Sequence, residues 1–126
     1  MAGEADRIVA DVQAKWAAAF AKLDAEALSA LYSRHGFLYG SNPNLYRGKD
    51  GAKAYFSGLP GWQSQSVNFT DIVTEAVGAD VVSMAGTANF MFDEKALTVK
   101  ITWVIVCEDG DWKILSHHVS SKAPLL

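Results

Sequence analysis

Cysteine is almost missing from this chain of 126 residues. Cys107 stands alone, which excludes an internal disulfide and any multi-cysteine metal cluster. It lies inside an apolar stretch, the ordinary setting of a buried thiol and not of a nucleophile. Positive charge is short as well. Eleven Lys and Arg against fourteen Asp and Glu give a formal charge of −3, so nucleic acid and membrane surfaces are not expected partners. No apolar run approaches the ~20 residues of a membrane span, and the opening Met-Ala-Gly-Glu-Ala-Asp lacks the basic-then-apolar plan of a signal peptide. A soluble cytoplasmic protein is expected. There is no Gly-rich phosphate loop, nucleophile elbow, His-x-x-x-His pair or dinucleotide fingerprint, so neither a cofactor nor a metal is expected. Repeats, linkers and low-complexity segments are absent too. Residues 1–126 read as one domain, long enough for a single core.

What is present is concentrated in the last third. Residues 98–124 read as two long strands joined by Glu108-Asp109-Gly110-Asp111, because Asp-Gly between β-rich runs supplies the backbone angles of a tight hairpin. In residues 99–107 both faces are apolar. Ile101, Trp103, Ile105 and Cys107 are assigned to one, and Val99, Val104 and Val106, with Thr102, to the other. Such a strand needs cover on both sides. Upstream, Ile8, Val12, Trp16, Phe20 and Leu23 recur at four- and three-residue steps, which predicts an amphipathic helix over 6–23. Asp24 is placed to cap a second helix with Ala27, Leu28, Leu31 and Tyr32 on its buried side, ending near Gly36. Residues 37–40 read as a short strand and 41–44 as a turn. Leu45 to Gly48 leads into a third helix over 50–59, which Pro60-Gly61 stops. Everything beyond Trp62 reads as β, with runs over 67–77 and 81–92 ahead of the final hairpin. Helices first and an antiparallel meander after give the α+β class.

Three short helices can cover one concave face of four long strands. An uncovered strip with Val104, Val106 and Ile114 would cost on the order of several kcal/mol at ~25 cal/mol per Å², so a homodimer through the convex sheet face is expected. A bent sheet does not close fully on its helices at the open end, and a pocket belongs there. The order of helix, helix, Leu31-Tyr32, Phe37-Leu38-Tyr39-Gly40, then Tyr46-Arg47-Gly48 with a helix, and finally Glu108-Asp109-Gly110-Asp111-Trp112-Lys113-Ile114 before His118-Val119-Ser120, resembles the SnoaL-like group of the nuclear transport factor 2-like superfamily. The ending, with Asp-Gly-Asp-Trp, His-His-Val-Ser and Ala-Pro, is also similar to the association domain of calcium/calmodulin-dependent kinase II. This resemblance spans nearly the whole chain. It implies a cone-shaped, cystatin-like α+β domain, usually dimeric, with three helices on a curved, mainly antiparallel sheet and a pocket between them. Relatives include isomerases, dehydratases, cyclases, ligand binders and assembly modules, so no single activity is implied.

The candidate chemistry lies in few residues. His117 and His118 are neighbours on a strand and point to opposite faces, so they cannot act together on one substrate or metal. Alternation groups His117 with Leu115 and Val119, and His118 with Trp112, Ile114, Ser116 and Ser120; the resemblance singles out His118 and Ser120. A histidine facing the pocket suits general acid/base work near neutral pH. Asp24 and Asp50 sit at helix starts, and Asp80, Asp93, Glu94, Glu108, Asp109 and Asp111 in turns; Asp71 is the exception to these. If its strand face is concave it is the best general base, whereas a bulge would turn it to solvent. Trp16, Tyr32, Tyr39, Trp62, Phe90 and Trp103 predict a cavity with aromatic walls and few charges. Where kinase association domains carry cavity arginines, an ungapped match places Trp103 and Val119. The expected function is binding of a small, mostly apolar ligand by a dimeric SnoaL-like domain, extending to cofactor-free catalysis. The alternatives are an isomerase, dehydratase or hydrolase using a pocket His and Asp, and an oligomerisation module.

Overall fold

Helix α1 (Glu4–Ala21) forms where the apolar stripe is clearest, and it buries Val9, Val12, Trp16 and Phe20 against the sheet. The computed structural model describes residues 3–126. Helix α2 (Ala25–Ser29) follows, its start fixed by the Asp24 carboxylate, which accepts the Ala27 N–H at 3.0 Å. Then come strands β1 (Tyr32–Tyr39) and β2 (Leu45–Arg47), helix α3 (Gly48–Ser57), and the long strands β3 (Gln65–Gly78), β4 (Val81–Phe92), β5 (Lys95–Glu108) and β6 (Asp111–Ser121). All six strands form one sheet in the order β2-β1-β6-β5-β4-β3. The last four make an antiparallel meander, while β1 runs parallel to β6 and pairs antiparallel with β2. The class is α+β, with the helices on one face of a curved sheet.

The β5–β6 turn is as the sequence predicts. Asp109 and Gly110 both have positive φ, 53° and 86°, the signature of a turn whose twist matches that of its strands. Helix and strand ends shift by a few residues, and two segments change type altogether. Leu31 and Tyr32 leave the second helix, because the Leu31 carbonyl accepts the Ile114 N–H at 2.8 Å and Tyr32 pairs with Ile114. A sheet partner for the backbone outweighs one further helical turn. Leu45–Arg47 likewise becomes β2, since β1 offers it a free edge.

Strand faces also need correction. Val99 lies on the same face as Ile101, Trp103 and Ile105, as simple alternation requires, and all four are buried. Ile114 belongs to the core, not to an outer strip. The reason is a bulge in β6: Val104 pairs with Ser116 and Ile105 with Ile114, leaving Leu115 as an extra residue. One extra residue reverses the parity beyond it, so Ile114 and His117 point the same way, into the core. A second bulge interrupts β3, where pairing skips from Thr70 to Val73 and Asp71 takes a φ of 56°.

Candidate functional site

Between α1, α3 and the inner faces of β4, β5 and β6 lies a cavity of about 480 Å³, within the ~300–1,000 Å³ usual for small-molecule sites. Aromatic rings build its walls because inward positions of the helix and of β4 coincide here. Phe20 packs edge-on to Phe90 with centroids 5.3 Å apart, and Trp62 stacks on Phe92 at 4.2 Å. At the mouth the Tyr55 ring lies across Gly40, so closely that a Cβ there would fall 2.2 Å from Cζ. The Tyr55 hydroxyl accepts the Ser41 N–H at 2.8 Å and donates to Ser41 Oγ at 3.0 Å. Among the described residues no Asp, Glu, Lys or Arg lines the cavity; the polar side chains there are those of Ser41, Tyr55, Thr98, His117, Ser120 and Ser121, besides the indole N–H of two tryptophans.

His117 is the one titratable group set deep in this cavity, and it is 5% exposed. Its surroundings fix its state. Trp103 Nε1–H donates to His117 Nδ1 at 3.0 Å, and the Tyr32 hydroxyl lies 2.8 Å from the same nitrogen. Trp16 Nε1–H in turn donates to the Tyr32 oxygen at 3.0 Å. An indole N–H can only donate, so Nδ1 is an acceptor and carries no proton. The Tyr32 hydroxyl, accepting from Trp16, has its own proton free to donate to Nδ1. Burial, with a smaller contribution from the neighbouring His118, holds the imidazole pKa down to about 3. Burial likewise pushes the Tyr32 phenol well above its ordinary range. The group is therefore a row of neutral donors and acceptors running Trp16, Tyr32, His117, Trp103.

The other sequence candidates separate around this centre. Trp16, Trp62 and Phe90 line the cavity. Tyr32 and Trp103 sit beneath it, 1% exposed, and meet it through His117. Tyr39 does not reach it. Exposed at 40%, it faces the opposite side of the sheet beside His118, with ring centroids 5.4 Å apart. His118 is exposed there as well, so of the adjacent histidines it is His117 that faces the cavity. Asp71 is exposed at the β3 bulge and does not line the cavity; the bulge turns it to solvent and leaves His117 without a carboxylate partner. Phe20 and Phe92 line the cavity beside the expected aromatics. Phe20 lies one helical turn beyond Trp16, and Phe92 shares strand parity with Phe90, so both were within reach of periodicity. Among the described residues no group of three or more His, Cys, Asp or Glu could hold a metal, and no helix is long and apolar enough to cross a membrane.

Solved structures resemble the fold closely. A candidate calcium/calmodulin-dependent protein kinase II association domain from Xanthomonas campestris superposes with a TM-score of 0.84 at 21% identity, covering 99% of this chain and 91% of that one. A candidate scytalone dehydratase from Novosphingobium aromaticivorans gives 0.78 at 16% identity, over 93% and 83%. A cystatin-like-fold protein of unknown function from Nostoc punctiforme also gives 0.78, at 17% identity over 98% of both chains. Identities this low establish shared architecture and nothing finer. No curated protein sequence matches the chain. The model of the SnoaL-like domain, however, matches residues 9–124, which takes in both the aromatic cavity and the bulged last strand: the chain belongs to the SnoaL-like domain family.

Proposed function

We propose that this protein is a homodimer whose subunits each bind a small, mostly apolar, uncharged molecule in the aromatic cavity. One observation carries the reading. The cavity is walled by aromatic rings, has no charged lining residue among the described residues, and has one neutral histidine at its base. An ion brought there would be desolvated without a counter-charge, which is costly, whereas an apolar molecule gains from burial. N-phenyl-1-naphthylamine, a neutral fluorescent reporter, should bind saturably at one site per chain. Phe90→Asp, which places a charge in the wall, should abolish that binding. Absence of saturable binding by the folded wild-type protein would overturn the proposal.

The dimer rests on the opposite face of the sheet. Phe37, Tyr39 and Leu45 are 45%, 40% and 43% exposed, and with His118 and Ser116 they line a shallow hollow. Ile114 no longer belongs to that face, so these three side chains and the half-buried Val104 replace it as the apolar patch. Light scattering should give about twice the 13.6 kDa chain mass, and Phe37→Glu with Tyr39→Glu should return it to one. A larger defined assembly would favour the oligomerisation reading. Catalysis would have to run through His117 without a carboxylate, and the likeness to a dehydratase is a likeness of fold alone. A cytoplasmic location fits the single cysteine, a thiol more at home in a reducing compartment.

A further inference from the structure

The geometry points to His117 as a fixed hydrogen-bond donor, not a base, so that the molecule bound in the cavity is a neutral, largely apolar compound carrying a carbonyl or ether oxygen aimed at Nε2–H. This rests on the binding reading above and narrows its ligand class. The argument begins with Trp103. Its indole nitrogen has one proton and no lone pair to offer, so at 3.0 Å from His117 Nδ1 it demands an acceptor there. Tyr32 meets the same nitrogen from a second direction at 2.8 Å, and because Trp16 already donates to its oxygen, its hydroxyl proton is free for Nδ1. Two donors converge on one lone pair. The neutral ring must then carry its proton on Nε2.

That nitrogen makes no hydrogen bond with the described residues, yet it is not among their sealed, unpartnered polar atoms, of which Gln65 Oε1 is the single example. His117 lines the cavity, and with Nδ1 held by Trp103 and Tyr32 we place Nε2 toward it. A buried N–H left without a partner is costly, and a ligand acceptor supplies the partner. The same arrangement rejects other chemistry. A ligand cation, or an N–H pointed at Nε2, would meet a proton instead of a lone pair. Proton abstraction would need the Nε2 lone pair that this tautomer lacks, since the available one is buried under Trp103 and Tyr32. Trp103 and Tyr32 are thus positioning residues, acting on the ligand through His117.

The tautomer is read directly by long-range ¹H–¹⁵N correlation of the imidazole nitrogens of the intact protein at pH 7, with His117 assigned by its loss in His117→Gln. The expected spectrum has a protonated Nε2 and an unprotonated Nδ1, and the double variant Trp103→Phe, Tyr32→Phe should redistribute the proton between the two nitrogens. Two probes of nearly equal shape, 2-acetylnaphthalene and 2-ethylnaphthalene, are then compared as competitors of N-phenyl-1-naphthylamine. The ketone should bind roughly 3- to 10-fold tighter, the usual worth of one hydrogen bond. A proton on Nδ1 would overturn the whole inference. Equal affinity of the two probes would overturn the ligand class while leaving the binding reading intact. Failure of both probes and the reporter to bind would overturn the binding reading and the ligand class together.

Discussion

Lowering the pH from 7 to 5 should destabilise this protein through one buried ring. His117 has an ordinary pKa of 6.5 when exposed and about 3 when folded. Between those values the unfolded chain binds a proton that the folded protein refuses, so stability rises with pH across the interval and falls as pH drops below 6.5. At pH 5 the folded ring is still neutral, and the size of the loss depends on the unfolded value alone. The 1.5-unit gap between 6.5 and 5 corresponds to about 2 kcal/mol, a roughly 30-fold change in the folded-to-unfolded ratio. The groups packed around the ring do not offset this. Trp16 and Trp103 do not titrate, Tyr32 stays a neutral phenol, and His118 opposes a second positive charge. Urea unfolding followed by far-ultraviolet circular dichroism at pH 7 and pH 5 measures the loss, and His117→Gln isolates it. Glutamine keeps an acceptor oxygen for Trp103 and Tyr32 but cannot take up the proton, while every other titrating group is common to both proteins. The pH 7 to pH 5 loss should be about 2 kcal/mol larger in wild type than in the variant. An equal loss in both would refute the folded protein's refusal of a proton at His117.

Gly86 faces the β3 bulge, and a Cβ there would lie 2.4 Å from Ile72 Cδ1 and 3.1 Å from the Asp71 carbonyl oxygen. Gly86→Ala should cost about 1–3 kcal/mol, the usual penalty of overpacking, seen as a lower midpoint in thermal unfolding. Asp71→Asn should leave reporter affinity within about twofold of wild type, because the residue is exposed at a bulge that tolerates either side chain at positive φ; a large loss would return Asp71 to the site. Gly40→Ala should push the Tyr55 ring off the cavity mouth and speed reporter release in stopped-flow dissociation. Glu108 is held below the usual carboxylate range by the Ser33 hydroxyl first and by the Arg34 backbone next. Its stabilisation is fully present above the ordinary value of 4.5 that holds in the unfolded chain and is lost as pH falls through the lower folded value, so Glu108→Gln should flatten the unfolding profile only at the acid end.

Much of this was legible in the chain because the physics is local. The spacing of Val12, Trp16 and Phe20 specifies a helix face, Asp24 a cap, and Asp109-Gly110 a turn, and each is settled within a few residues of itself. What sequence could not supply were the two places, among several register shifts, where a lost count moves a candidate site residue to the other face. Nothing in Ile-Leu-Ser-His announces that Leu115 is unpaired, and nothing in Thr-Asp-Ile-Val that Asp71 is turned outward, because a bulge is decided by the neighbouring strand. Tyr32 leaves the helix for a related reason: its spacing is helical, but a partner 82 residues away, Ile114, claims its backbone. The donor pair on His117 joins β1, β5 and β6, and no spacing within any one of them encodes it.

The unpaired Leu115 has a consequence beyond bending its strand. His117 and His118 are adjacent, and alternation admits one of them to the interior and turns the other out. Had the extra residue fallen just past His118, the same sequence would have brought His118 indoors and sent His117 to the surface. The chain thus carries two interchangeable imidazoles and a single selector, which is a count of residues and not a choice of side chain. Because that count also sets the curvature over the cavity, the vessel and the group it holds cannot be altered independently. A one-residue insertion or deletion in β6 would reset both at once.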